Sequence, residues 1–122
     1  MKIKESAENY LETIFVLSKK MASVRSIDVA NEMNFTKASI SVAMKRLRED
    51  EYIAIDTDGS IVLTQKGKDI ASAVYERHSL IAKILISLGV SEGTAYEDSC
   101  KIEHDLSPES FRKIKEYYEK NM

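Results

Sequence analysis

The sequence predicts a mainly α-helical chain carrying a small β-wing, and three observations lead there. Apolar residues recur at spacings of three and four through most of the 122 residues, and only one proline and four glycines interrupt them. The period shortens to two once, around an Asp-Gly pair near the middle.

A first helix is expected from Ser6 to about Lys20, where Tyr10, Ile14 and Leu17 recur at helical spacing beside Leu11 and Phe15. A second, short helix is expected after Ser26, read as its N-cap, and runs to about Met33. Thr36 caps a third helix reaching about Asp50, whose inward stripe is Ile40, Met44 and Leu47. Tyr52–Asp56 and Ser60–Thr64 are short runs rich in β-branched residues. The intervening Thr57-Asp58-Gly59 marks a hairpin, because Asp and Gly tolerate positive φ. Two helices joined by a tight turn and followed by a hairpin form a winged helix-turn-helix.

Beyond the wing, Thr64 caps a long fourth helix to about Leu88, with Ile70, Val74, Ile81, Leu85 and Leu88 as its stripe and Gly89 at its end. Ser91 opens a fifth helix stopping near Leu106. Ser107-Pro108 supplies a cap and a first-position proline for a sixth, with Phe111, Ile114 and Tyr118 on its apolar side. Residues 1–70 are read as the winged helix-turn-helix domain and 71–122 as a second, helical domain.

The apolar fraction of 43% supports a core, and the charged fraction of 31% fits a soluble protein. No apolar run approaches the roughly 18–20 residues that span a bilayer. The N-terminal MKIKESAENYLETIFVL is polar and acidic where a signal peptide is apolar. A single cysteine forms no internal disulfide, so a reducing cytoplasm is expected. The net charge of −2 hides an uneven layout: Lys37, Lys45, Arg46 and Arg48 cluster in one stretch, whereas acidic residues are common after position 91.

In a helix-turn-helix the second helix enters the major groove of DNA. Its outward residues here are Lys37, Ala38, Ser39, Ser41, Val42 and Lys45. Small side chains permit close approach, serine donates or accepts, and the methyls of Ala38 or Val42 suit a thymine methyl. Lys45, Arg46 and Arg48 are placed for phosphates. The charges alone favour a merely solvated amphipathic face; the neighbouring short helix and hairpin shift the reading towards DNA. The wing is a weak point, because Asp56 and Asp58 repel phosphates.

A second cluster lies in the segment CKIEH. Cys100, Glu103 and His104 stand at i, i+3 and i+4, so one helical face presents thiolate, carboxylate and imidazole, a half-site for a transition metal. Asn9 and Glu12, i and i+3 on the first helix, are candidates to complete it. His78 falls within the apolar stripe of the fourth helix, where it needs a polar partner. Each residue also has an ordinary role: His78 as a hydrogen-bonded core histidine, Cys100 as a small hydrophobe, Glu103-His104 as an exposed polar pair.

Several stretches together resemble the diphtheria toxin repressor family of metal-dependent regulators, in particular its short manganese transport regulator branch. They are SAENYLETIF, VANEMNFTKASISVAMKRLREDEYI, LTQKGKDIA, ERHSLIAKIL, LGVSEGTAYED and CKIEHDLSPES, nearly the whole chain. The resemblance implies a homodimeric regulator whose second domain pairs two copies and whose metal-loaded form binds double-stranded operator DNA. It places Glu12, His78, Cys100, Glu103 and His104 on ligand positions. Asn9 stands where relatives carry aspartate or methionine and offers only a neutral carbonyl oxygen. Cys100 stands where the manganese branch has glutamate and the iron-responsive branch cysteine. Ala82 and Tyr96 replace the ancillary glutamate and histidine of longer members, so a second metal site is not expected. The chain ends about where those members begin an SH3-like domain, so the short form is expected.

Thiolate with imidazole favours Fe2+ or Zn2+, with Mn2+ open. No small organic substrate is expected. The alternatives are a metal-independent winged-helix regulator, a winged helix used for protein contacts, and, last, a metal hydrolase. The hydrolase lacks a glycine-rich phosphate loop or a nucleophile–base pair in the sequence.

Overall fold

The computed structural model describes residues 5–121. Its elements are α1 (Glu5–Lys20), α2 (Ser26–Met33), α3 (Lys37–Glu49), β1 (Ile53–Ile55), β2 (Ile61–Leu63), α4 (Gln65–Ser87), α5 (Glu92–Asp105) and α6 (Pro108–Asn121). They fall into two units, one ending at Ala73 and the other beginning at Val74.

The first unit is built around large apolar side chains from every one of its elements. Leu11 and Ile14 of α1, Val29 of α2, Ile40, Met44 and Leu47 of α3, Ile53 of β1 and Ile61 of β2 are all buried in one cluster. Ile40, Met44 and Leu47 pack inward because steps of four and three return to one helical face.

The α2–α3 turn depends on Asn34, which takes the left-handed conformation at φ 58° that asparagine tolerates better than most residues. Its successor Phe35 donates from its N–H to the Ala30 carbonyl, closing the end of α2. Thr36 then caps α3, its Oγ1 accepting from the Ser39 N–H at 3.1 Å. The start of α2 differs from expectation. Arg25, not Ser26, is the cap residue, and Asp28 three positions on accepts from the Arg25 N–H at 2.9 Å, the return half of a capping box.

The wing is an antiparallel pair in register Ile53↔Leu63, Ala54↔Val62 and Ile55↔Ile61. At its tip only Gly59 adopts positive φ, at 88°. Asp58 contributes differently from the expected backbone tolerance: its Oδ1 accepts from the Ser60 N–H at 3.0 Å, a local Asx turn. Thr64 caps α4 by accepting from the Gly67 N–H at 3.1 Å. Gly67 is there for close approach, since a Cβ would lie 2.0 Å from the Tyr52 carbonyl oxygen.

In the second unit Val74, Ile81, Ala82 and Ala95 are buried. Leu88, expected in the inward stripe of α4, is 75% exposed. It lies past the end of α4, where Gly89 at φ 103° turns the chain away. Ser107 Oγ accepts from the Ser110 N–H at 3.1 Å and Pro108 opens α6. Between α4 and α6, Lys115 donates to Glu76 at 3.0 Å and Arg77 stacks over Phe111. An apolar groove of about 530 Å³ is lined by Ile84, Leu88, Ile114, Tyr117 and Tyr118. Among the described residues, no helix is long and apolar enough to cross a membrane.

Candidate nucleic-acid interface and metal centre

The third helix presents the expected outward face. Lys37, Ala38, Ser39, Ser41, Val42, Lys45, Arg46 and Arg48 are all exposed, while Ile40, Met44 and Leu47 hold the opposite side in the core. Val42 is 68% exposed, an apolar side chain held in solvent at the middle of a cationic helix. Burial of the other face fixes the helix, so its outward side chains are delivered from a rigid element. Lys45, Arg46 and Arg48 lie in its second half, with no acidic residue before Glu49. Ser39 is partly committed to the cap, since Thr36 Oγ1 donates to Ser39 Oγ at 2.9 Å.

The fifth helix brings three donors together. One ligand atom from each of Cys100, Glu103 and His104 lies within 4.8 Å of the others. The i, i+3, i+4 spacing accounts for this, because all three side chains leave one helical face. Glu103 is 1% exposed, and His104 Nε2 lies 3.3 Å from Glu103 Oε1. The ordinary reading of Glu103-His104 as an exposed polar pair is thereby overturned: both side chains are almost wholly withdrawn from water. A buried carboxylate is costly unless positive charge or donors compensate it. A thiol, a carboxylate and an imidazole so placed match the donor chemistry of a divalent transition-metal site.

His78, on α4, is half-buried, and its Nε2 lies 3.1 Å from the Tyr96 carbonyl oxygen. A hydrogen bond there requires the proton on Nε2, which makes Nδ1 the lone-pair nitrogen of the neutral ring. The Tyr96 ring meets the imidazole edge-on, with centroids 5.7 Å apart. Asn9 and Glu12 belong to α1 of the first unit. Asn9 is half-buried, and Glu12 is the one carboxylate among the buried residues of its helix. Within the second unit, the clustered donor set is Cys100, Glu103 and His104.

Arg25 is the residue that sequence reasoning passed over. It sits beside the wing turn, where a Cβ at Gly59 would approach its Nη1 to 3.1 Å. The available signal was the R-S-I-D spacing, which places a carboxylate three residues after a cap position.

Residues 2–61 match the family model for the iron dependent repressor N-terminal DNA binding domain, and residues 64–121 that for the iron dependent repressor metal binding and dimerisation domain. The HTH-type transcriptional regulator MntR of Geobacillus thermodenitrificans is 34% identical over 102 residues, which cover 84% of this chain and 72% of that protein. The structure of the manganese regulator SloR aligns with a TM-score of 0.82 at 24% identity, over 98% of this chain and 55% of that one. ScaR with bound Zn2+ aligns with a TM-score of 0.77 at 22% identity, over 93% and 53% respectively. The chain thus spans about half the length of these two solved structures, which at such identity establish its fold. Model matches along both halves, together with the MntR likeness, place the chain in the iron-dependent repressor family of metal-dependent transcriptional regulators, which are DNA-binding proteins and not enzymes.

Proposed function

We propose that this chain is a cytoplasmic, homodimeric repressor of metal-homeostasis genes, binding double-stranded operator DNA when a divalent transition metal is held. The observation that carries the reading is the close grouping of Cys100, Glu103 and His104 donors on α5, two of the three side chains almost fully buried. The DNA-reading part is assigned to residues 1–70, the metal-binding and pairing part to residues 71–122.

Cys100, Glu103 and His104 hold the ion, with His78, Glu12 and Asn9 as further ligands on the strength of the family resemblance. A bound dication supplies the positive charge that lets a thiolate and a carboxylate stay ionised out of water. His78 is oriented for its part by the Tyr96 carbonyl, the usual way a backbone group fixes a ligating imidazole. Fe2+ or Zn2+ is favoured, because a thiolate is softer than the oxygen donors that suit Mn2+. ScaR is a relative solved with Zn2+, whereas SloR is described as a manganese regulator, so Mn2+ belongs in the comparison.

On the DNA side, Ser39, Ser41, Ala38 and Val42 meet base edges. Lys37, Lys45, Arg46 and Arg48 engage phosphates. The dimer ordered by metal presents two such helices to major-groove faces about 34 Å apart.

The site is tested with Co2+ as a probe, added anaerobically to the unmodified protein. A thiolate-to-metal charge-transfer band is expected, and Cys100→Ser removes it. Stoichiometric Co2+ binding with no such band in the unmodified protein would take Cys100 out of the ligand set.

A further inference from the structure

The wing has a charge problem that its own residues do not solve. Between Tyr52 and Leu63 the charged side chains are Asp56 and Asp58, with no lysine or arginine. Both aspartates are exposed. A wing lying along a DNA backbone with only these charges would be repelled by it.

The cation comes from another part of the first unit. The segment before α2 is stitched alongside β2: the Ser23 and Ser60 hydroxyls are hydrogen-bonded, and the Ile61 N–H donates to the Val24 carbonyl at 2.7 Å. The next residue is Arg25, whose own backbone N–H is fixed by the Asp28 carboxylate at 2.9 Å. Its backbone is therefore held on both sides, and its guanidinium is delivered to the wing turn. At the turn it passes over Gly59, where a Cβ would stand 3.1 Å from Nη1 and 3.9 Å from Cζ. Glycine leaves the room that the planar group occupies. Asp58, whose carboxylate is turned back onto the Ser60 N–H at 3.0 Å, adds attraction from the same turn. Arg25 remains exposed.

We propose that Arg25 is the phosphate-contacting residue of the wing, a guanidinium supplied from the α2 entry to a hairpin that carries only acid. The inference rests on the DNA-binding reading given above. Arginine suits the task because its planar fork can donate two parallel hydrogen bonds to one phosphate. A phosphate contact at this point positions the protein and carries no sequence information of its own. It works alongside Lys45, Arg46 and Arg48 from outside the recognition helix.

The test uses the metal-loaded full chain and a duplex enriched from a random pool by that same protein. DNA affinity is followed by fluorescence anisotropy across a salt series. Arg25→Gln is expected to reduce the log–log salt slope by about 1 for each bound protomer. The same fold weakening is expected on a scrambled duplex. Arg25→Met, which keeps the side-chain stem, gives the same loss, and Arg25→Lys keeps the slope. Lys120→Gln, a charge removal at the far end of α6, leaves the slope unchanged. An unaltered slope in Arg25→Gln and Arg25→Met, with the unmodified protein clearly salt-dependent, overturns the assignment of Arg25 alone. Failure of the unmodified metal-loaded protein to bind any duplex in a salt-dependent way overturns the DNA-binding reading, and this inference with it.

Discussion

The two units of the chain spend their buried surface differently. In the first, α1, α2, α3 and both strands each contribute at least one large aliphatic side chain or methionine to a single cluster, which Ala71 of α4 joins, while Phe35, Val42 and Val62 stay exposed among polar and charged residues. In the second, the buried set is thin. Val74, Ile81, Ala82 and Ala95 are joined there by Ser99 and Glu103, and α6 contributes no fully buried residue. Large apolar side chains stay in solvent in both units, Val42 at 68% in the first, and Leu88 at 75% and Tyr117 at 67% in the second. The first unit is a closed core carrying a reading helix, stable by apolar packing. The second has a small apolar core and a buried carboxylate, Glu103, grouped with two further donors, a distribution suited to binding an ion.

The largest expected effect falls on the closed core. Ile40→Ala empties a fully buried site between α3 and its neighbours and is expected to cost about 2–5 kcal/mol in denaturant unfolding. A cost under about 1 kcal/mol would mean that the first unit is packed no more tightly than the second. Next comes Glu103→Gln, which keeps the shape but removes the buried charge. It is expected to erase metal-stimulated DNA binding, a coupling of about 1–3 kcal/mol, while leaving metal-free DNA affinity as it was. Persistence of the full metal response would sever the site from the switch.

Cys100→Glu sharpens the chemistry of the second unit. Exchanging the thiolate for a hard oxygen donor is expected to move the preference away from Zn2+ and towards Mn2+, read as relative metal affinities by competition. An unchanged order would show that the soft donor does not set selectivity. Leu88→Ala, by contrast, is expected to change the stability of the monomeric fold by no more than about 0.5 kcal/mol, because the side chain is already in water.

The smallest effect concerns the wing turn. Hydrogen bonds from Ser60, with a lesser pull from Arg25, hold the Asp58 carboxyl below the ordinary carboxylate range. A folded-state value lower than the unfolded one stabilises above that range and is lost as the pH falls through it. Asp58→Asn should therefore flatten the fall in melting temperature between roughly pH 5 and 3, and leave neutral pH little changed. A wing that melts identically with and without Asp58 across that span would remove the carboxylate from the turn's stability.

Most of the fold was legible because local signals agreed with the tertiary outcome. Thr36, Thr64 and Ser107-Pro108 open the helices where expected, and the 40/44/47 stripe of α3 faces inward. The readings that failed are those in which a short-range pattern competed with something further along the chain. Ser26 looked like a cap, yet the Arg25 N–H donates to the Asp28 carboxylate and the boundary falls at Arg25. Leu88 kept the helical period, but the helix ends just before it at Ser87, and Gly89 beyond it turns the chain away. For the site, the i, i+3, i+4 spacing on α5 was visible in the sequence. The burial of Glu103 was not, since a charged residue in a polar segment carries no outward sign of being covered. The R-S-I-D spacing marked Arg25 as a cap position, but its approach to Gly59 is a pairing across 34 positions that neither local segment announces.

The account stands on metal and DNA being coupled in one molecule. The direct measurement is the affinity of the unmodified chain for its enriched duplex, taken anaerobically with chelator and then with Fe2+, Zn2+, Co2+ or Mn2+ in excess. A tightening of about 5- to 150-fold with at least one of these ions is expected. Equal affinity with chelator and with every ion would contradict it.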